Sequence, residues 1–522
     1  MQTSLLHQAG IWGSTALIAL ALSLISLVVG ISCVVAPPAF PFGIVGIGAV
    51  ILLWMTPELR MVPLRFTRAT VAPLLFVFIC MPVYYAIILP GLPLLSVRKL
   101  MNFACIVPLC LVLAGSQAAR SQCMLVLSQH KILRFCLLTF ILITLLTTIT
   151  AVSITTSINF FVLNLLGCYL PMVAITVCIA DYKSIEKLFK FCIAAAGVNF
   201  IAGAVEFYLK RPFLVNLLPS YMKEQIFRAN AIIAENLTVG MGVRSGAYRA
   251  SSTFTTALSW GEICAMISPM CFHLIAYGKT KSDKFIGIAG FFICFISIAL
   301  SGSRGAYIGV ILALISYSLI FALRSMRESP GSLGGTIALT LFSLGGAAVI
   351  LAVMFVGSVH KAVLGGGEAQ MSTDARYLEW AQAKPKILLR PLQGYGGGSA
   401  ADVIAYMSSK GNYSVDGYYM NLLVDYGIFG FIFFFATFIV AIICCFRFFL
   451  YSRTEVSKFT AAIGASLLAF IVYRTTLSQI DSLFLAFSLL GLALVCLYLA
   501  RAQEEGARVR QFVIAPKPAW RR

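Results

Sequence analysis

The chain has 522 residues, of which 60% are hydrophobic and 11% charged, with a formal charge of +20. A soluble globule carries about 25% charged residues, so this composition, with a mean hydropathy of +0.94, excludes a soluble enzyme and predicts a polytopic membrane protein. The basic residues are scattered in short segments between apolar runs, which argues against a nucleic-acid partner.

In lipid the backbone must satisfy its own polar groups, so a spanning segment is a helix or part of a closed barrel. The apolar runs here are continuous rather than alternating, and about 20 such residues cross a bilayer. They predict an all-α fold with spans at 14–36, 39–54, 70–90, 99–115, 132–151, 158–180, 188–208, 256–276, 285–300, 306–323, 335–357, 417–446, 459–477 and 482–500. That makes about 14 transmembrane helices. The runs at 39–54 and 99–115 are short, and reading them as re-entrant or merged gives 12 or 13. The first run lacks a basic flank and continues past 20 residues, so it reads as a span rather than a cleaved signal.

Charge sorts the connections. The short ones hold Arg60, Arg65 and Arg68, then Arg120, Lys131 and Arg134, then Lys183, Lys187 and Lys190, then Lys279, Lys281 and Lys284, then Arg324 and Arg327, then Arg447, Arg453 and Lys458. Short basic connections stay in the cytoplasm, so both termini are expected there, with 501–522 as a basic tail. The connections at 209–255 and 358–416 are long and fall on the opposite side. The first carries Lys210, Arg211, Lys223, Arg228, Arg244 and Arg249 against Glu224 and Glu235. Orientation does not explain that excess; an anionic ligand outside the membrane does. This pattern divides the chain into transmembrane helices at 1–155, a membrane domain at 156–500 and the tail. None of the 15 cysteines lies in either long loop, so they form no disulfide framework.

Three constellations carry chemistry. Arg244-Ser-Gly-Ala-Tyr-Arg249-Ala-Ser-Ser-Thr-Phe254 precedes a span, and arginine presents a planar fork suited to phosphate oxygens. Ser251, Ser252 and Thr253 can add hydroxyls, or the stretch is an interfacial anchor with a serine cap. Ser301-Gly302-Ser303-Arg304-Gly305-Ala306 turns between two spans. An arginine there is a functional candidate by default, the alternative being a snorkelling side chain. The third runs from Arg376 to Gly430, with Asp374 just before it: Arg376, Glu379 and Trp380, then Pro391-Leu-Gln-Gly394-Tyr-Gly396-Gly-Gly398, then Ser414-Val-Asp416-Gly-Tyr-Tyr419 and Asp425-Tyr-Gly427. Its glycine run lacks the lysine of a phosphate loop. Asp416 at a helix mouth is an N-cap or a general base for a sugar hydroxyl. His360 reads as a packing histidine, and Arg474 and Asp481 as a structural pair at the last outer turn.

These three pieces, in this order, resemble the bacterial O-antigen ligase/polymerase family, whose members act on undecaprenyl-pyrophosphate-linked glycans. The resemblance covers roughly 160–500 and includes Glu206-Phe-Tyr at the end of a span. It implies a GT-C-like membrane glycosyltransferase that needs no metal or other cofactor. It also implies catalytic roles for Arg249, Arg304 and Asp416, and substrate contacts at Arg244, Arg376, Gly394, Gly396 and Tyr419. The ligases usually carry a His-Asn pair where this chain has Asp416-Gly417, which favours a polymerase over a ligase. Arg249 and Arg304 would hold the pyrophosphate and Asp416 the attacking hydroxyl, with inversion at the anomeric carbon. Expected partners are the lipid-linked glycan, membrane lipid, a chain-length regulator and export proteins, all at the bacterial inner membrane. A flippase is the rival reading, and the two long loops on one face count against it.

Overall fold

The computed structural model describes residues 62–87, 95–229, 243–244, 247–329, 368–407, 413, 415–475 and 481–505, with isolated residues between 336 and 357. The spans expected at 14–36 and 39–54, most of the one at 335–357, His360 and the tail beyond 505 lie outside them. Eight described helices are long and apolar enough to cross a membrane, or nine if one bent pair counts as a single span. The multi-pass, all-helical expectation is met at that count.

The first described helix, α1 (Leu64–Cys80), ends in a turn and a two-residue strand β1 (Ala86–Ile87), which pairs antiparallel with β2 (Leu95–Ser96). The apolar run at 70–90 is therefore a helix that stops early, and Arg65 and Arg68 belong to its first turns rather than to a loop. Next come α2 (Val97–Gly115), α3 (Gln117–Ser128) and α4 (Lys131–Leu146). The last two meet at 108°, so the connection around Arg120 is itself helical. Arg120 closes it by donating to the carbonyls of Leu113 and Ala114 at 2.9 and 2.7 Å.

One span then runs from α5 (Ile154–Asn164) through a π turn at Leu165–Tyr169 into α6 (Leu170–Cys178). It is followed by α7 (Tyr182–Leu209), the short α8 (Phe213–Asn216) and α9 (Ser220–Ala229). The hairpin β3 (Val243–Arg244) and β4 (Ala247–Tyr248) leads to α10 (Ala257–Tyr277), α11 (Lys281–Ser301) and α12 (Arg304–Glu328). Beyond them lie α13 (Glu368–Leu389), α14 (Ala400–Ile404), α15 (Tyr418–Tyr451), α16 (Ser457–Arg474) and α17 (Leu483–Glu504).

The bundle is centred on α10 and α17, whose most apolar windows are 83% and 94% buried. The other spans expose apolar rows to the surroundings, as a lipid-facing helix must. α10 packs against α11, α12 and α16, and α17 against α6 and α16. The described parts of the long connections hold helices, α8 and α9 in the first and α13 and α14 in the second. Tyr84, Val215, Leu218 and Ile226 form one small separate core, and Ala383, Tyr395, Ala400, Ile404, Val415, Met420 and Val424 form another. Segments of both long connections thus fold as compact caps.

Candidate active site

The strap between β4 and α10 is fixed from below by two polar residues on α7. Glu206 is buried, and its carboxyl accepts from the Tyr248 hydroxyl at 3.0 Å, the Ser251 amide and hydroxyl at 2.9 and 3.0 Å, and the Ser252 amide at 2.7 Å. Asn199 accepts from Thr253 at 2.8 Å, and its backbone carbonyl accepts from Ser252 at 2.6 Å. Ser252 takes a left-handed φ of 57° to make this possible, a conformation costly for a residue with a side chain. The hydroxyls of Ser251, Ser252 and Thr253 are therefore spent inside the fold rather than on an anion. Neither do they cap α10: Thr256 does, accepting from the Ser259 amide.

With the strap held, Arg249 lies on the turn between α11 and α12. Its Nε donates to the Ser301 carbonyl at 2.9 Å. Gly302 ends α11 at φ +56°, and a Cβ there would meet Arg249 Nε at 3.2 Å, so glycine serves both the left-handed turn and the close approach. Arg304 is the first residue of α12 and is exposed. Ser303, at the N-cap, makes no cap with its side chain and shares its hydroxyl with Tyr473 at 3.0 Å. Two guanidinium groups and a helix N-terminus without a side-chain cap thus share one turn. Helix N-termini and arginine forks both favour phosphate oxygens.

The C-terminal end of α16 joins this turn to the mouth of α15. Tyr473 donates to the Leu258 carbonyl at 2.6 Å. The next residue, Arg474, is fully buried and pairs with Glu262 of α10 at 3.4 Å. It also donates to Ser482 and lies over the Tyr418 ring at 4.7 Å. The expected Arg474–Asp481 pair is not formed: Asp481 pairs with Arg98 of α2 at 3.5 Å. Glu262, deep in an apolar helix, is the closer fit for a buried guanidinium.

Tyr418 opens α15, and Asp416 stands two residues before it. Gly417 occupies the N-cap, so Asp416 is not the capping residue. Its backbone amide is instead held by Glu379 of α13, at 3.1 Å from Oε2. Glu379 is 1% exposed. Burial, with the neighbouring Asp416 carboxylate, pushes its carboxyl up to about 7, against the opposing pull of the Asp416 amide and Arg376. Arg376, Tyr377, Trp380 and Tyr419 line an open cleft at the same place.

That raised carboxyl has a sign in stability. The folded chain holds a proton that the unfolded chain, with an ordinary carboxyl near 4.5, has already released. The stabilising contribution is present below about pH 4.5 and is lost as pH rises through about 7. Thermal unfolding in detergent is expected to show a Tm that falls over this interval in wild type and a shallower slope in Glu379→Gln. Equal slopes would mean that Glu379 stays ionised throughout.

The glycine run docks into a break in α15. Gly427 is non-helical, at φ +67° and ψ −173°. Into the gap come backbone bonds from Tyr395 to Val424 at 2.8 Å, from Gly396 to Asp425 at 2.9 Å, and from Ile428 to Pro391 at 2.8 Å. The Asp425 carboxyl accepts the amides of Gly398, Ser399 and Ala400 at 2.8–3.0 Å, and so closes the start of α14. A Cβ on Gly427 would sit 2.3 Å from the Leu392 carbonyl. Gly427→Ala is therefore expected to cost about 2 kcal/mol or more and to lower Tm by several degrees, with new protease cleavage near Leu392. An unchanged Tm would refute the tight docking.

The structure thus brings Arg249 and Arg304 onto one turn and connects it, through Tyr473 and Arg474, to the mouth of α15 beside Asp416. Arg376 and Tyr419 line the cleft next to that mouth. Gly394 is buried against backbone, where a Cβ would meet the Asp425 carbonyl, and Gly396 against side chains, where a Cβ would meet those of Ala151 and Ser157. Arg244 lies in β3, and its side chain is outside the described residues. Sequence reading passed over Asn199, Glu262 and the Arg474 contacts. Their signal was polarity inside apolar runs. Among the described residues no three His, Cys, Asp or Glu side chains are grouped to hold a metal.

Residues 289–435 match the family model Wzy_C, described as O-antigen ligase. The match begins within α11, contains the Arg304 turn, α12, α13 and the glycine run, and ends inside α15. Arg249, Glu206, Glu262 and Arg474 lie outside it. No curated protein matches the chain. The match over residues 289–435 supports an O-antigen ligase/polymerase-like family for this multi-pass membrane chain.

Proposed function

We propose that the chain polymerises undecaprenyl-pyrophosphate-linked oligosaccharide repeats at the outer face of the bacterial inner membrane. The observation that carries this reading is the shared turn of Arg249 and Arg304, whose Arg304 half lies within the O-antigen ligase match. The donor's pyrophosphate rests on the two guanidinium groups and the start of α12. A hydroxyl of the acceptor chain attacks the anomeric carbon. The new C–O bond forms as the bond to the pyrophosphate oxygen breaks, and undecaprenyl pyrophosphate leaves with its charge held by the arginines. Asp416 takes the hydroxyl proton. A single displacement of this kind inverts the anomeric carbon. Both termini and the basic connections face the cytoplasm in this orientation, and a chain-length regulator and export proteins are the proposed protein partners.

The match to an O-antigen ligase model favours a second reading, in which the glycan is passed to a lipid or protein acceptor as in a ligase. Against it, Asp416-Gly417 stands where the ligases it resembles usually carry His-Asn. Purified protein in detergent, given lipid-linked repeats alone, separates the readings. A ladder of polymer supports the polymerase. Product only when a second acceptor is added supports the ligase. No product in either case sinks both, since a flippase has no activity to report without a bilayer.

A further inference from the structure

Resting on that reading, we infer that the cleft between α13 and the mouth of α15 is the subsite for a pyranose unit of the acceptor chain, with Trp380 as its stacking wall. Arg376 and Tyr377 stand on one turn of α13 and Trp380 on the next, and Tyr419 comes from α15. The Trp380 and Tyr419 rings stand 6.0 Å apart at 46°, so they form an angled pair rather than a closed stack. Tyr377 is 70% exposed and Trp380 38% exposed. Arg376 Nε is buried with no hydrogen-bond partner among the described residues, a donor left for something else to satisfy.

The chemistry selects the occupant. A pyranose ring offers an apolar C–H face to an aromatic ring and hydroxyls around its rim, which match Arg376 and the Asp416 carboxylate. Ligand sites of this kind combine aromatic lining with a few placed polar groups. A lipid tail would leave the Arg376 donor unpaired in an apolar setting. Aromatic residues of a membrane interface belt stand at the level of the headgroups; here rings from two separate helices converge beside a guanidinium.

The floor of the cleft is built to hold position. Glu379, one residue before Trp380, fixes the Asp416 amide at 3.1 Å. The base proposed for the acceptor hydroxyl is thus tied to the same helix turn that carries the stacking ring. A sugar held on Trp380 would meet Asp416 in a set geometry, which is how positioning lowers a barrier between two bound reactants.

The probe is the oligosaccharide released by mild acid from the host's own lipid-linked pool, freed of lipid and pyrophosphate. It is titrated calorimetrically into the full-length protein in detergent, with inorganic pyrophosphate titrated separately. Wild type is expected to bind both. Trp380→Ala and Trp380→Leu, the second of which keeps apolar bulk, should bind the saccharide at least tenfold more weakly and pyrophosphate as wild type does. Trp380→Phe should recover most of the saccharide affinity. In the transfer assay, Trp380→Leu should raise KM for the acceptor and leave kcat within a few-fold. Equal saccharide affinity in wild type and Trp380→Leu overturns the subsite. Absence of transfer by wild type overturns the polymerase and ligase readings instead, and the titration still decides whether the cleft binds sugar.

Discussion

Arg304→Ala is expected to abolish polymer formation while the protein still inserts and purifies normally. Arg304 is exposed, begins α12 and makes no hydrogen bond or ion pair among the described residues, so the fold does not depend on its side chain. A charge stabiliser of this kind is worth roughly 10²–10³ in rate. Arg304→Lys keeps the charge but loses the planar fork, and should fall between the two. Product length on a gel and initial rate with purified enzyme are the measurements. Normal polymer from Arg304→Ala would remove the turn from the mechanism. Arg249 makes a less clean test, because its Nε also holds the Ser301 carbonyl, and its loss would disturb the turn itself.

The second large effect is one of stability. Arg474 and Glu262 are both buried within the bundle at 0% and 1% side-chain exposure. Truncating one partner of such a pair leaves a buried charge without its counterpart, at a cost of about 3–5 kcal/mol. Arg474→Met alone should therefore lower Tm sharply and shorten the half-life in detergent. Glu262→Leu with Arg474→Met removes both charges and should recover a large part of the loss, because a buried pair replaced by apolar groups is often close to neutral. A double variant no more stable than Arg474→Met would show that the two residues act independently. Arg474 also lies over Tyr418, and Tyr473 beside it binds Ser303. Arg474→Met is accordingly expected to slow transfer as well as to destabilise the chain.

The spanning helices were legible because lipid leaves the sequence little freedom: long apolar runs can only be helices, and α2, α7, α10, α11, α12, α15 and α17 follow the runs closely. The caps were not. The stretch containing Arg376 is polar and rich in glycine further along, which concealed α13 behind an apparent loop. Its start, Glu-Ala-Gln-Met, and the run Leu378-Glu-Trp-Ala-Gln-Ala-Lys384 are composed largely of helix formers, and that signal was available. Gln117–Ser128 was missed for a different reason: a short helix of mixed polarity between two spans looks like any basic connection. At the candidate site, arginine chemistry singled out Arg249 and Arg304, which the structure sets on one turn, and the helix mouth singled out Asp416. What residue type could not convey was who holds whom. Arg474 chose Glu262 over its near neighbour Asp481, and Asp425 was claimed by three amides of the glycine run. Both outcomes depend on which helices meet, and no local pattern encodes that.

The break at Gly427 has a consequence for what this protein can tolerate as its sequence changes. The segment between Leu389 and Ala400 is bonded into the gap at both ends, to Val424 and Asp425 on one side and Ile428 on the other. Its length is therefore set by the spacing of a membrane helix rather than by solvent. Surface connections ordinarily absorb insertions. This one is under the same restriction as a buried turn, and an added residue would have to be accommodated by the span itself.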